Sequence, residues 1–228
     1  DWRAGSDTLR YGTTPAYGQS AIAAVPGPLP WSSAGTFREA RLTGLTGNTI
    51  YDYAIGAGPD YSFRTPPPRG SSGFSVVAEG DIGSSTQMVT IQSEIAAVGP
   101  DFVLGLGDLT YANNSGQAAV DAHFNAVMVW SRQAAYMPVW GNHDWDPGDD
   151  LRNYKGRFDL PNPQASPGAP PEGCCGEDWS WFDYGNARFI SYPEPYSSTV
   201  RSDWQVHAAT IMDAAQADSS IRFIVTFG

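Results

Sequence analysis

The 228-residue chain contains a single lysine, Lys155, and its 13 basic residues face 24 acidic ones, for a formal net charge of −11. A basic face cannot be built from that balance, which argues against nucleic-acid binding, where phosphates must be neutralised. Long apolar runs are also missing. None approaches the roughly 18–20 residues that cross a bilayer, so no membrane partner is expected. No signal-peptide pattern is visible. The chain opens at Asp1 in what reads as mid-domain, which leaves room for a leader upstream. Cysteine is almost absent. Cys174 and Cys175 are adjacent, and that spacing fits no zinc motif. They read as small residues of a loop. A strained bridge between neighbours, or partners beyond the chain ends, are the alternatives, and no redox compartment follows from them.

What is present is enough apolar material, 41% of residues, for a real core. The length suits one large domain or two small ones. Residues 1–68 hold no convincing helix. TLRYG, TFREARL, TIYDYAIG and YSFRT are short runs rich in aromatic and β-branched residues, separated by Gly, Pro and Ser turns, as in a small β-sandwich. About five strands can be read where such a sandwich wants seven. PPPRGSSG has linker composition and sets the division: 1–68 as the β-domain, 69–73 as linker, 74–228 as a second domain. The second domain changes pattern. FSVVAEG, DFVLGLGD and AYMPVWGN read as strands, with helical spacing over 86–98 and 117–133 between them. Strand and helix in alternation predict an α/β layered fold with parallel strands. Residues 144–178 are rich in Pro and Gly, and a connection that long is usually functional or mobile. Beyond it, 179–192 reads as a hairpin, 201–217 as a helix and 221–228 as a strand.

In an open α/β sheet, ligands bind beyond the C-terminal strand ends. Three consecutive strands here end in Gly followed by an oxygen donor: Asp81 in GDIG, Asp108 in GDLTY and Asn142 in GNHD. Tyr111 and His143 follow closely. Each residue alone has an ordinary explanation. A strand-end Asp or Asn caps helices and forms turns, a lone Tyr is half-buried, a lone His is on the surface. Together, one strand–helix unit apart, they should converge. Two carboxylates so placed repel unless a cation compensates them. Carboxylates with a phenolate suit Fe(III), and carboxylate, amide oxygen and imidazole suit a divalent ion such as Zn, Fe or Mn.

GDIG, GDLTY and GNHD together resemble the first three blocks of the calcineurin-like metallophosphoesterases. The Tyr of GDLTY narrows the resemblance to the purple acid phosphatases. REARLTGLTGNTIYDYAIG and YSFRTPP look like the fibronectin-III-like domain that precedes their catalytic domain, and WSWFDYGNARFIS is similar to a later hairpin. The resemblance implies hydrolysis of small phosphate monoesters at a binuclear centre, Fe(III) plus a divalent ion. It places Asp81 on the ferric ion, Asp108 between the ions, Tyr111 on iron as a phenolate and Asn142 on the divalent ion. His143 would serve the leaving group as hydrogen-bond donor or acid. Asp144 stands where the family has Glu or Asp, with no assigned role. Secretion to an extracellular or periplasmic space is also implied by the family alone.

The chain departs from the pattern in one respect. The blocks V-x-x-H and G-H-x-H, which follow GNHD in the family and supply three metal-binding histidines, do not occur after GNHD in these 228 residues. His123 and His207 sit in predicted helices without motif and are expected on helix surfaces. The resemblance therefore predicts a chain cut before its fourth block and lacking the start of its β-domain. A phosphodiesterase or nucleotidase on the same scaffold is the alternative within the class. An inactive binding protein is the alternative outside it.

Overall fold

Strand is the only regular structure among the described residues before position 66. β1 (Trp2–Arg3) pairs with β4 (Phe37–Arg38). β2 (Thr8–Gly12), β3 (Gln19–Ile22), β5 (Ile50–Ile55) and β6 (Tyr61–Arg64) form an antiparallel sheet in the order β3-β2-β5-β6. Leu9, Tyr11, Tyr51 and Ala54 turn inward from it at every second or third position, as the pleat requires. The computed structural model describes residues 1–3, 5–27, 35–145, 151–167, 177–194 and 198–228. Cys174 and Cys175 lie outside them, as does part of the loop expected over 144–178.

The second part alternates strand and helix. β7 (Val76–Glu79), α1 (Thr86–Val98), β8 (Phe102–Leu106), α2 (Ala112–Ser115), α3 (Ala118–Ser131) and β9 (Ala135–Val139) give a parallel sheet β7-β8-β9. α1 begins where Ser85 Oγ accepts the Met88 amide at 3.2 Å and stops at Gly99 in the left-handed region, an ordinary pair of caps. After the short α4 (Arg152–Lys155), β10 (Trp181–Tyr184) and β11 (Ala187–Ser191) form the expected hairpin. α5 (Ser198–Gln216) then leads to β12 (Phe223–Phe227), which lies parallel to β11.

The alternation of β8 decides how these layers stack. Val103 points to one face, against Ile95 of α1 and Val127 and Trp130 of α3. Phe102 and Leu104 point to the other, against Phe182, Tyr184, Phe189 and Phe227 of the second sheet. α5 covers that sheet's far side through Ala208, Trp204 and Ile211. The order is helix, sheet, sheet, helix, with β8 buried on both faces. Phe102 and Val103 are 1% and 0% exposed, and each such side chain contributes about 1.5–3 kcal/mol.

His123 corrects the sequence reading. It lies on α3 as expected but is fully buried rather than on the surface. Its Nδ1 is 3.3 Å from the Gly83 carbonyl and its Nε2 3.3 Å from the Tyr136 hydroxyl. α3 is apolar around most of its circumference, so residue type alone could not place this histidine outside. Both ring nitrogens finding partners is what permits the burial. His207 is exposed on α5, as expected.

The linker stretch is docked rather than loose. The Gly70 amide donates to the Gly185 carbonyl at 3.0 Å, and Arg69 bridges Asp183 and Asp218. The N-terminal strands also touch the α/β layers. Tyr53 donates to the Arg132 carbonyl at 2.8 Å, Arg41 pairs with Asp159, and the Arg157 guanidinium lies over Phe37 and Phe124.

Candidate metal centre

β7, β8 and β9 run parallel and in register, so their C-terminal ends fall on one edge. Their strand-end loops then keep pairing. The amides of Asp81, Ile82 and Gly83 donate to the carbonyls of Gly107, Asp108 and Leu109 at 3.3, 2.9 and 3.0 Å. Two glycines let the next pair of loops touch. A Cβ on Gly107 would lie 3.2 Å from Gly141 Cα, and one on Gly141 would lie 2.3 Å from Asp108 Oδ1. The glycine before each donor is therefore needed for close approach at these two positions, and at Gly107 also for its φ of 84°.

All five residues singled out from the sequence lie on this edge. The Tyr111 hydroxyl donates to Asp81 Oδ1 at 2.6 Å. Asp108 Oδ1 accepts the His143 amide at 2.8 Å. The His143 ring stacks on Tyr111 with centroids 4.5 Å apart. Asn142 is exposed, and its carbonyl is 3.5 Å from Asn113 Nδ2. Asp81, Asp108 and Tyr111 all have left-handed backbones, with φ of 52°, 51° and 55°. That conformation costs a non-glycine residue about 1–3 kcal/mol and recurs where a site dictates side-chain direction.

The donor set consists of carboxylate, phenol and amide oxygens, which suits a hard cation. With no cation, Tyr111 holds its proton firmly. The hydrogen bond to Asp81 raises its pKa well above the ordinary phenol value, with burial and the charge of Asp108 adding to it. A phenolate here would need a compensating positive charge, and the oxygen donors present are of the kind that could supply part of a shell for one. The set is nevertheless open. No group of three or more His, Cys, Asp or Glu side chains suited to a metal occurs among the described residues.

Of the residues that surround these donors, the sequence reading missed Asn113, Asn114 and Glu194 and named Asp144 without a role. Asn113 Oδ1 and Asn114 Nδ2 both lie 3.1 Å from His143 Nδ1. Their signal was visible in GDLTYANN, two amides on the first turn after the tyrosine. Asp144 is buried and collects four hydrogen bonds. Its Oδ2 accepts the amides of Leu109 and Gly141 at 3.0 and 2.9 Å, and its Oδ1 accepts the amide and hydroxyl of Thr110 at 2.9 and 3.2 Å. Glu194, beyond β11, has its carboxyl raised by burial and then by the charge of Asp108. No motif announced it, because it reaches the edge from the second sheet.

Residues 74–216 match the family model described as calcineurin-like phosphoesterase. Purple acid phosphatase 22 of Arabidopsis thaliana is 28% identical over 138 residues, covering 58% of this chain and 31% of that protein. Purple acid phosphatase 21 of the same plant is 27% identical over 139 residues, with the same shares. The structure of purple acid phosphatase PPD1 from yellow lupin (Lupinus luteus) seeds matches with a TM-score of 0.69 at 18% identity, covering 99% of this chain and 47% of that one. At that identity the likeness is one of fold: a strand-rich beginning followed by the α/β layers. The chain thus spans about a third of these curated relatives and about half of the lupin protein.

Proposed function

The chain belongs to the calcineurin-like phosphoesterase family, and from that membership we propose that it is part of a purple acid phosphatase-type hydrolase of small phosphate monoesters. The observation that carries the reading is the Tyr111 hydroxyl on the Asp81 carboxylate at 2.6 Å, beside Asp108. A phosphoesterase using carboxylates and amides alone has no need of a phenol there.

In this reading Asp81, Asp108 and Tyr111 hold Fe(III), and Asp108 and Asn142 hold a divalent ion, Zn, Fe or Mn. The bound ions would neutralise phosphate charge and acidify the attacking water. The chain's own contribution is position. Stacking on Tyr111 and the amides of Asn113 and Asn114 fix the His143 ring through its Nδ1 side. That leaves Nε2 to donate to the departing ester oxygen, the role of a general acid. The nearby acidic groups favour a cation-neutralised anion over a free one. Nucleic acid and membrane are not proposed as partners. No described helix is long and apolar enough to cross a membrane. An extracellular or periplasmic location, and a fibronectin-III-like identity for residues 1–68 ahead of a catalytic domain at 74–228, belong to the same proposal.

The three further histidines of the family's set lie in blocks that follow GNHD in the family, and neither block occurs after GNHD in these 228 residues. Residues 1–228 alone are therefore expected to bind metal weakly and to hydrolyse p-nitrophenyl phosphate negligibly. The test is to extend the source reading frame past codon 228 and express the product. If it carries V-x-x-H and G-H-x-H, the protein should hydrolyse p-nitrophenyl phosphate and show a visible phenolate-to-iron band, and Tyr111→Phe should lose the band while keeping some hydrolysis. A band that survives in Tyr111→Phe removes Tyr111 from the iron. A frame without those histidines replaces the enzyme reading with a binding protein.

A further inference from the structure

Asp144 touches none of the proposed metal donors through its side chain, yet its carboxylate lies beneath them. It is 6% exposed, and all four of its hydrogen bonds run to two loops. Oδ2 alone bridges them, taking the Leu109 amide from the loop after β8 and the Gly141 amide from the loop after β9. Oδ1 takes the amide and hydroxyl of Thr110. Only an ionised carboxylate offers acceptor sites alone, enough for four donors.

We propose that Asp144 is the positioning residue of the site, fixing the loop that bears Asp108 against the loop that bears Asn142 and His143. The inference rests on reading these loops as the metal and phosphate site. Two independent features support it. The loops meet backbone to backbone at Gly107 and Gly141, where a methyl added to Gly141 would collide with Asp108 and one added to Gly107 would be tight against Gly141, so their separation has little slack. The contact between them that involves a proposed ligand, the His143 amide on Asp108 Oδ1, lies directly above the Asp144 clamp in sequence, one residue from it on each loop. An amide at 144 would keep one oxygen and turn an NH2 toward backbone donors. The donors left without an acceptor are buried, and burying them unsatisfied is costly.

The experiment compares wild type, Asp144→Asn and Thr110→Val by amide hydrogen exchange and by titration with Tb(III), a hard cation that prefers oxygen donors. Loss of a charge-assisted bond shared by two loops should speed exchange at His143 about tenfold more than at the β8 amides, and weaken Tb(III) binding about tenfold. Thr110→Val keeps all three amide bonds and should change both readings less than about twofold. Uniform acceleration at His143 and β8 in Asp144→Asn would overturn the proposal, because a merely structural residue loosens the whole sheet. Should Asp144→Asn fail to fold, Asp144→Ser, which keeps one acceptor oxygen and turns no NH2 toward the amides, is read the same way. A chain of residues 1–228 that takes up no Tb(III), with His143 exchange still selectively raised in Asp144→Asn, would leave the clamp intact and match the weak metal binding expected of these residues alone.

Discussion

At the ends of β7, β8 and β9, Asp81 and Asn142 are exposed and Asp108 and Tyr111 half-buried; Tyr111 bonds to the Asp81 side chain, and Asp108 accepts the His143 backbone amide. Around α4 and the strand-like approach to β10, the polar groups behave differently. Lys155 and Asp178 are each 2% exposed and lie 2.8 Å apart, Nζ to Oδ1. Asp178 Oδ2 accepts the Ser166 amide at 2.7 Å, and Glu177 Oε1 accepts the Leu160 amide at 2.8 Å. Left-handed backbone does not separate the two regions, since Glu177 has a φ of 62°. Access does. The strand-end groups face solvent with donor atoms to spare, whereas those of the α4 knot are consumed in holding loops that have little regular structure. The chain's single lysine is thus spent on architecture, and its chemistry is left to oxygen donors.

The largest expected effect lies in the knot. Lys155→Met removes the partner of a buried carboxylate and should cost about 3–5 kcal/mol in urea unfolding. Pairing it with Asp178→Leu should recover much of the loss, since two apolar groups replace two desolvated charges. A cost for Lys155→Met below about 1 kcal/mol is the behaviour of a surface pair and would erase the contrast between the two regions.

The next effect tests whether the strand-end edge is propped by a neutral group. Burial lowers the His123 pKa from 6.5 to about 4, and Arg157 lowers it further against the raising pull of the Gly83 carbonyl. The folded state therefore binds fewer protons than the unfolded one below pH 6.5. Stability should fall as pH drops from 6.5 toward 4, by up to about 3 kcal/mol, and level off below. His123→Phe should flatten that slope. An unchanged slope would show that His123 is not the group that loosens the GDIG loop in acid.

The two regions were not equally legible in the sequence. The convergence of the strand-end donors was legible because a parallel sheet brings its C-terminal strand ends to one edge and glycine precedes each donor there. Gly107 and Gly141 are required by contact, so they mark the sites as surely as the donors do. The layer order followed from strand–helix alternation, and α1 falls where its spacing put it. Partners arriving from distant sequence were not legible. Asp144 has no assigned role in the sequence until the amides of Leu109 and Thr110, more than thirty residues away, are brought to it. Lys155 sits in a Pro- and Gly-rich stretch that reads as a long, weakly structured connection. His123 failed for a related reason: a helix apolar on most sides does not say which histidine nitrogen will meet which buried partner.

Glu177 sharpens the comparison from the opposite pH direction. Burial pushes its pKa up to about 7, against the lowering effect of the Leu160 amide, with Asp159, Glu39 and Lys155 contributing less. Here the folded state binds more protons than the unfolded one between the ordinary carboxyl range and pH 7. The associated stability is present in acid and lost as pH rises through about 7, on the order of 2–3 kcal/mol. Glu177→Gln keeps an acceptor for Leu160 and should stabilise the protein at pH 8 while changing little at pH 4.5. A variant no more stable at pH 8 than wild type would mean that Glu177 is solvated like the strand-end acids.

The smallest effect belongs to the edge itself. Asp81 is exposed, its backbone is left-handed at φ 52°, and its hydrogen-bond partner is Tyr111. Asp81→Gly loses one bond at a solvated position, worth about 0.5–1.5 kcal/mol, and relieves a backbone penalty of about 1–2 kcal/mol. The two nearly cancel, so urea unfolding of the metal-free protein should change by less than about 1 kcal/mol in either direction. Tb(III) uptake should nevertheless drop, since a donor is gone. That pairing, binding lost with stability kept, is what separates a residue placed for chemistry from one placed for the fold. A loss of several kcal/mol in Asp81→Gly would move Asp81 into the company of Lys155 and Asp178, and the edge would then be a structural joint.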